Sequence, residues 1–238
     1  YQKKLDSRLR GNDKEKYGNE AVNVGVIGAG NYARATLLPA LSRSTAKLAM
    51  VADINGVAAD HAAKKFGAGK AVSDHRMILD DPSVQAVFVL VGHHLHSRFI
   101  CAALDAGKHV FVEKPLAITE VQMEEVIAVY DRKGLDSRLR NLKVICDGND
   151  TLRQAQGDRG VDQGDKVAAQ SDNVGAQGSR KMVMVGFNRR FSPHTVKIRE
   201  LLAGRTEPLT MNMTVNAGFI PADHWTQDPE RGGGRIIG

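Results

Sequence analysis

With 238 residues and 42% hydrophobic content, the chain can bury one large core or two modest ones. It holds no apolar run long enough to cross a bilayer, and its polar start (Tyr1-Gln2-Lys3-Lys4-Leu5-Asp6) has no leader-like apolar stretch, so neither a membrane span nor a secretory signal is expected. The net charge of +6 is scattered and aromatics make up only 5%, which favours a solvated basic surface over a nucleic-acid partner.

Along the chain, residues 1–20 are expected to be an extension without structure. From Val22 to Lys133 short apolar strands alternate with amphipathic helices, the pattern of βαβ units around a parallel sheet. The strands fall at Val22–Ile27, Leu48–Ala52, Ala86–Val91 and His109–Val112. The helices fall at Tyr32–Leu41, Val57–Phe66, Ser97–Ala106 and Glu120–Arg132. Thr119 with Gln122 forms a capping box for the last helix, and Gly107 stops the one before it. Residues 135–180 then lose all periodicity and are poor in large apolar side chains, which reads as a flexible insertion. Leu135-Asp136-Ser137-Arg138-Leu139-Arg140 repeats Leu5-Asp6-Ser7-Arg8-Leu9-Arg10 verbatim, and both copies resemble translated intergenic repeats. Beyond it come a strand at Met182–Phe187, a helix at Pro193–Leu202 and a strand at Leu209–Val215. The expected fold class is α/β: a Rossmann-type doubly wound parallel sheet over residues 21–191, then the start of an α+β substrate domain over residues 192–238.

Two local patterns carry chemistry. Gly28-Ala29-Gly30 joins a strand to a helix: the first glycine permits the tight turn, and the second lets the backbone approach a pyrophosphate. Ala33 is small enough for close helix–strand packing, and the N–H groups at the helix start form an anion site. Asp53 ends the next strand, where a carboxylate accepts ribose hydroxyls and repels a 2′-phosphate, favouring NAD over NADP. A plain turn carboxylate is the alternative for Asp53. The second pattern is Glu113-Lys114-Pro115 at the end of an apolar strand. An ammonium there can bond a substrate oxygen as charge develops and relay a proton, while Glu113 orients it and Pro115 fixes the backbone. The alternative is a surface lysine closing a strand. Cys101 and Cys146 lie far apart without metal-ligand spacing, so no metal and a cytoplasmic setting are expected.

Gly28-x-Gly30-Asn31-x-Ala33, the run from Ala106-Gly107-Lys108-His109 through Glu113-Lys114-Pro115-Leu116-Ala117, and Gly186-Phe187-Asn188-Arg189-Arg190-Phe191 resemble the Gfo/Idh/MocA oxidoreductases. The resemblance implies hydride transfer between a nicotinamide coenzyme and a sugar- or cyclitol-like alcohol, with Lys114 as the catalytic acid/base. It implies coenzyme contacts from Gly28, Gly30, Asn31, Tyr32, Asp53, Glu113, Lys114 and Pro115, and substrate contacts from Asn188 and Arg190. Family members carry Thr-Pro-Asn-x-x-His where this chain has Val91-Gly92-His93-His94-Leu95-His96, so His93 and His96 are assigned to the coenzyme. The stretch 216–238 looks closest to a subgroup in which this module is fused behind a zinc-type alcohol dehydrogenase module. Such a module, a second copy of the chain and a polyol or sugar are therefore the candidate partners. The family's complementary Asp and His would fall after Gly238, from which a truncated chain with impaired turnover is expected. Two alternatives remain at this point. One is a non-catalytic NAD-binding or sensing module; the other is a methyltransferase using S-adenosylmethionine, which the Glu-Lys-Pro strand end disfavours.

Overall fold

A computed structural model of the protein describes residues 21–133, 181–214, 216 and 218–234. The expected extension 1–20 and the whole of the expected insertion 135–180 lie outside the described residues, as do Val215 and Ala217. Six strands, β1 (Asn23–Ile27), β2 (Lys47–Ala52), β3 (Lys70–Val72), β4 (Ala86–Val89), β5 (His109–Val112) and β6 (Val183–Val185), form a parallel sheet in the order β3-β2-β1-β4-β5-β6. That order is the doubly wound pattern. No helix among the described residues is long and apolar enough to cross a membrane. The chain divides into two units, Tyr1–Phe88 and Val89–Gly238.

In the first unit β1 pairs in parallel with β2, Asn23 opposite Lys47 and Ile27 opposite Ala52, with a register shift between Val24 and Gly25. β2 pairs in turn with β3, Met50 opposite Lys70. Val24, Val26 and Ile27 are all buried, as befits a parallel strand covered on both faces. A Cβ on Gly25 would collide with Cγ2 of Ile78, so the glycine lets the short helix Arg76–Leu79 press onto the strand. After β1 the chain winds through a π-helical segment, Ala33–Leu37, into α1 (Leu38–Leu41). α2 (Gly56–Phe66) starts on Asn55, whose side chain accepts from the N–H groups of Val57 and Ala58. It ends on Gly67 at φ +73°, the left-handed stop that glycine adopts without strain. Its buried face is Ala59, Ala62 and Ala63, small enough for close approach.

In the second unit, α4 (His96–Asp105) and α5 (Glu120–Arg132) pack together, with Arg132 bonded to Asp105 at 2.9 Å. These labels count Arg76–Leu79 as α3. Met123, Val126 and Val129 form the buried side of α5. Gly107 at φ +70° ends α4 as expected. Thr119 caps α5 by accepting from Gln122 N–H at 3.2 Å, but the Gln122 amide oxygen takes Ile118 N–H, one residue before the donor a capping box would use. β6 pairs in parallel with β5, Val110 opposite Val183, confirming that the strand resumes after residue 180. α6 (Pro193–Leu202) starts on Ser192, whose hydroxyl accepts from Thr195 N–H.

The sequence expectation differs from the structure in several places. The strand expected at Leu209–Val215 is absent over 209–214, where no regular structure forms and Leu209, Met211 and Met213 are exposed. Its alternation has no ladder among the described residues to join, and a strand is stable only when paired. No strand of an α+β domain is therefore seen among the described residues of 192–238. Ala86–Val91 shortens to Val89, and Met182–Phe187 shortens to Val183–Val185. β3 and α3, of three and four residues, are too short to show a period and were not foreseen.

Candidate functional site

In the first unit, the glycine turn is tied to the end of β2. Gly28 sits at φ +102°, which only glycine takes readily, and donates its N–H to the Ala52 carbonyl at 2.8 Å. Ala29 N–H donates to Oδ2 of Asp53 at 2.7 Å, and Asn55 N–H to Oδ1 at 2.8 Å. Asp53 thus holds the turn in shape. Each oxygen keeps acceptor capacity for a ribose hydroxyl, because an ionised carboxylate has about four acceptor sites. Gly30 has an ordinary φ, and a Cβ built on it meets nothing within 4 Å. Nothing inside the protein requires a glycine there; the close approach of a pyrophosphate to the backbone would. That open cradle fits a pyrophosphate. Asn31 Oδ1 accepts from Arg34 Nη2 at 2.9 Å. Tyr32 beside it is 40% exposed. Ala33 is buried, matching the close packing expected of it.

In the second unit, Glu113, Lys114 and Pro115 follow directly on β5. Glu113 N–H donates to the Val89 carbonyl at 3.3 Å, so the end of β4 anchors the strand end. The Lys114–Pro115 peptide is cis. The Glu113 carboxylate turns back to accept Lys114 N–H at 3.2 Å. Its Oε1 would lie 2.8 Å from a Cβ on Gly186, so the glycine at the end of β6 makes room for it.

His93 and His96 take different places. His93 is half-buried in a short 3-10 turn, His93–Leu95, with Nδ1 2.9 Å from the Gly232 carbonyl and its ring edge-on to Trp225 at 4.8 Å between centroids. Burial pushes its pKa below the ordinary histidine value, the Gly232 carbonyl opposes that shift, and the nearby Lys114 charge adds to it. His96 is fully buried, with Nδ1 2.5 Å from the Pro115 carbonyl and Nε2 3.1 Å from the Val91 carbonyl. Both ring nitrogens face main-chain oxygens, so the ring has no polar edge left for a ligand. Burial pushes its pKa down as well.

Asn188 and Arg190 lie exposed in the 3-10 turn Asn188–Phe191, where Asn188 N–H donates to the Gly186 carbonyl at 2.8 Å. The Arg190 guanidinium stands 5.3 Å from the Phe191 ring centroid. Among the described residues no group of three His, Cys, Asp or Glu side chains could hold a metal ion.

Sequence reading missed the tie between the histidine turn and the glycine-rich segment. The Gly232 carbonyl meets His93, His94 N–H donates to the Arg231 carbonyl at 3.3 Å, and Gly232 packs so tightly on Thr226 that no Cβ would fit. The run Gly232-Gly233-Gly234 was the available signal, since consecutive glycines mark a close backbone approach as well as a flexible tail.

The sheet order, the glycine turn and the acidic end of β2 define an NAD-binding Rossmann domain. Residues 22–138 match the model of the Gfo/Idh/MocA family, described as an oxidoreductase family with an NAD-binding Rossmann fold, and through this domain the chain belongs to that family. The chain is 38% identical over 120 residues to levoglucosan dehydrogenase of Pseudarthrobacter phenanthrenivorans, covering 46% of this chain and 30% of that protein. It is 39% identical over 100 residues to inositol 2-dehydrogenase/D-chiro-inositol 3-dehydrogenase of Lacticaseibacillus casei, covering 41% and 29%. It is 31% identical over 209 residues to inositol 2-dehydrogenase 2 of Saccharopolyspora erythraea, covering 84% and 47%. The chain therefore spans less than half the length of these relatives.

Proposed function

We propose that this chain is the coenzyme-binding part of an oxidoreductase that exchanges hydride between NAD and a secondary alcohol of a sugar or cyclitol. The observation that carries the reading is Gly30: an unstrained glycine facing open space in a turn whose neighbouring N–H is already spent on Asp53. The named sugar and cyclitol dehydrogenases among its relatives support the substrate class. NAD is preferred over NADP, because the Asp53 carboxylate would repel a 2′-phosphate. The coenzyme, when bound, supplies the nicotinamide carbon that takes or gives the hydride.

The remaining steps belong to this chain's residues. The backbone of 28–30 and the helix start bind the pyrophosphate, aided by Asn31 and Tyr32, and Asp53 holds the ribose. Lys114 bonds the substrate oxygen. In the oxidising direction its amine takes the hydroxyl proton as the carbon loses hydride, and in the reducing direction its ammonium returns that proton to the forming alkoxide. Glu113 and Pro115 set the direction of Lys114. His93 supports the nicotinamide side, and Asn188 and Arg190 contact substrate hydroxyls. The domain layout we propose is residues 21–191 for the coenzyme, interrupted by 135–180, with residues 192–238 opening a substrate-binding part. The cytoplasm is its proposed location, and a second copy or a zinc-type dehydrogenase module its proposed partner.

Lys114→Met tests the assignment. Turnover of a cyclitol and sugar panel should fall by about 10²- to 10⁴-fold, the usual worth of a general acid–base group. NADH affinity should stay within a few-fold. Turnover left unchanged in the folded Lys114→Met variant would contradict the reading.

A further inference from the structure

We propose that His96 is a positioning residue for Lys114, holding the Pro115 carbonyl just past the reactive strand end with one ring nitrogen and facing the Val91 carbonyl with the other. This rests on the proposed role of Lys114 in proton transfer. His96 is wholly buried, and the atoms it meets are the carbonyl of Pro115, the residue after Lys114, and the carbonyl of Val91, two residues past the end of β4. It therefore spans two loops that leave adjacent points of the same unit, and it does so where neither loop has a strand ladder to hold it.

Carbonyl oxygens only accept, so each bond requires a protonated ring nitrogen. A neutral imidazole has one. The shorter contact, to Pro115 at 2.5 Å, selects the tautomer with the proton on Nδ1. The second anchor, at Val91, becomes a full bond only in the imidazolium, which burial opposes. The groups that set this balance are His93, whose ring lies 5.6 Å away, and Lys114, whose positive charge also opposes protonation. His96 holds the Pro115 side at neutral pH, and acid adds the Val91 side. A small residue shift at Lys114 is costly, because a proton-transfer group displaced by about 1 Å can lose about 10²-fold in rate.

Two variants of the whole chain test this, His96→Gln and His96→Leu. Gln keeps an N–H donor for one carbonyl; Leu keeps none. The first readout is the acylation rate of Lys114 relative to exposed Lys64, measured by mass spectrometry of digested protein, which needs no turnover. The Leu variant should change that ratio by about threefold or more, with Gln restoring most of it. In turnover, kcat should fall by about tenfold or more for Leu, with KM for the coenzyme unchanged. Trp225, the single tryptophan, touches His93 and reports by its fluorescence whether the histidine turn stays folded. If the Leu variant does not fold, proton NMR of the wild type decides: a slowly exchanging low-field imidazole N–H on Nδ1 of His96 is expected. Its absence, or unchanged Lys114 reactivity and kcat in folded variants, would overturn the proposal. Failure of the wild type to bind NADH would instead strike the oxidoreductase reading, leaving the Lys114 labelling contrast to judge His96 alone.

Discussion

Gly30 and Asp53 divide the work of the nucleotide turn between space and hydrogen bonding. Because a Cβ on Gly30 meets no protein atom, Gly30→Val should leave thermal stability within about 2 °C while weakening NADH binding by about tenfold or more. Fluorescence titration beside a melting curve checks both halves. Asp53→Asn is different in kind: the amide can still accept from one of Ala29 and Asn55 but leaves the other N–H without its acceptor. A stability loss of about 1 to 3 kcal/mol, read by denaturant unfolding, should accompany its weaker coenzyme binding. Cys101 is inert by its surroundings. Burial, with Glu125 and Asp105 nearby, pushes its thiol up to about 11. Peptide mapping after thiol alkylation at neutral pH should find Cys101 modified far more slowly than a free cysteine.

Elements were legible where their period ran long enough and their ends carried specific chemistry. Glu120–Arg132 was read to the residue, because Thr119 is an N-cap and the apolar face recurs over three turns. His109–Val112 was equally clear. Lys70–Val72 and Arg76–Leu79 were not, since one turn or three residues hold no period. Leu209–Val215 has the strand pattern, yet no strand forms over its described residues 209–214, because pattern states only what a segment could bury and not what lies beside it. The site divided along the same line. The glycine turn, Asp53 and Lys114 announced themselves by local sequence. The roles of His96, Gly186 and Gly232 depend on what they touch across 19, 73 and 139 residues or so of chain, and no local pattern encodes that. Gly25 makes the element scale testable: its Cβ-free face admits Ile78, so Gly25→Ala should cost about 1 to 3 kcal/mol of unfolding free energy.

For the whole molecule, the histidines set an acid limit. His93, His96 and His109 all have pKa values pushed below 6.5, chiefly by burial. The folded state therefore binds fewer protons than the unfolded state just below that value. Stability should be full above pH 6.5 and fall as the pH drops below it. Asp105, held below the usual carboxylate range by its hydrogen bond to Arg132, adds a further loss below about 3.8. Thermal melts across that range should show the first decline near 6.5; a flat profile down to pH 5 would contradict the buried, neutral histidines.

The central claim is that a nicotinamide dinucleotide binds on the Gly28–Gly30 turn with Asp53 at its ribose. Calorimetric titration of the intact chain with NADH tests this most directly. The expected result is one saturable site per chain, with NADPH binding more weakly. No heat of association with either coenzyme, from protein shown to be folded, would contradict the claim.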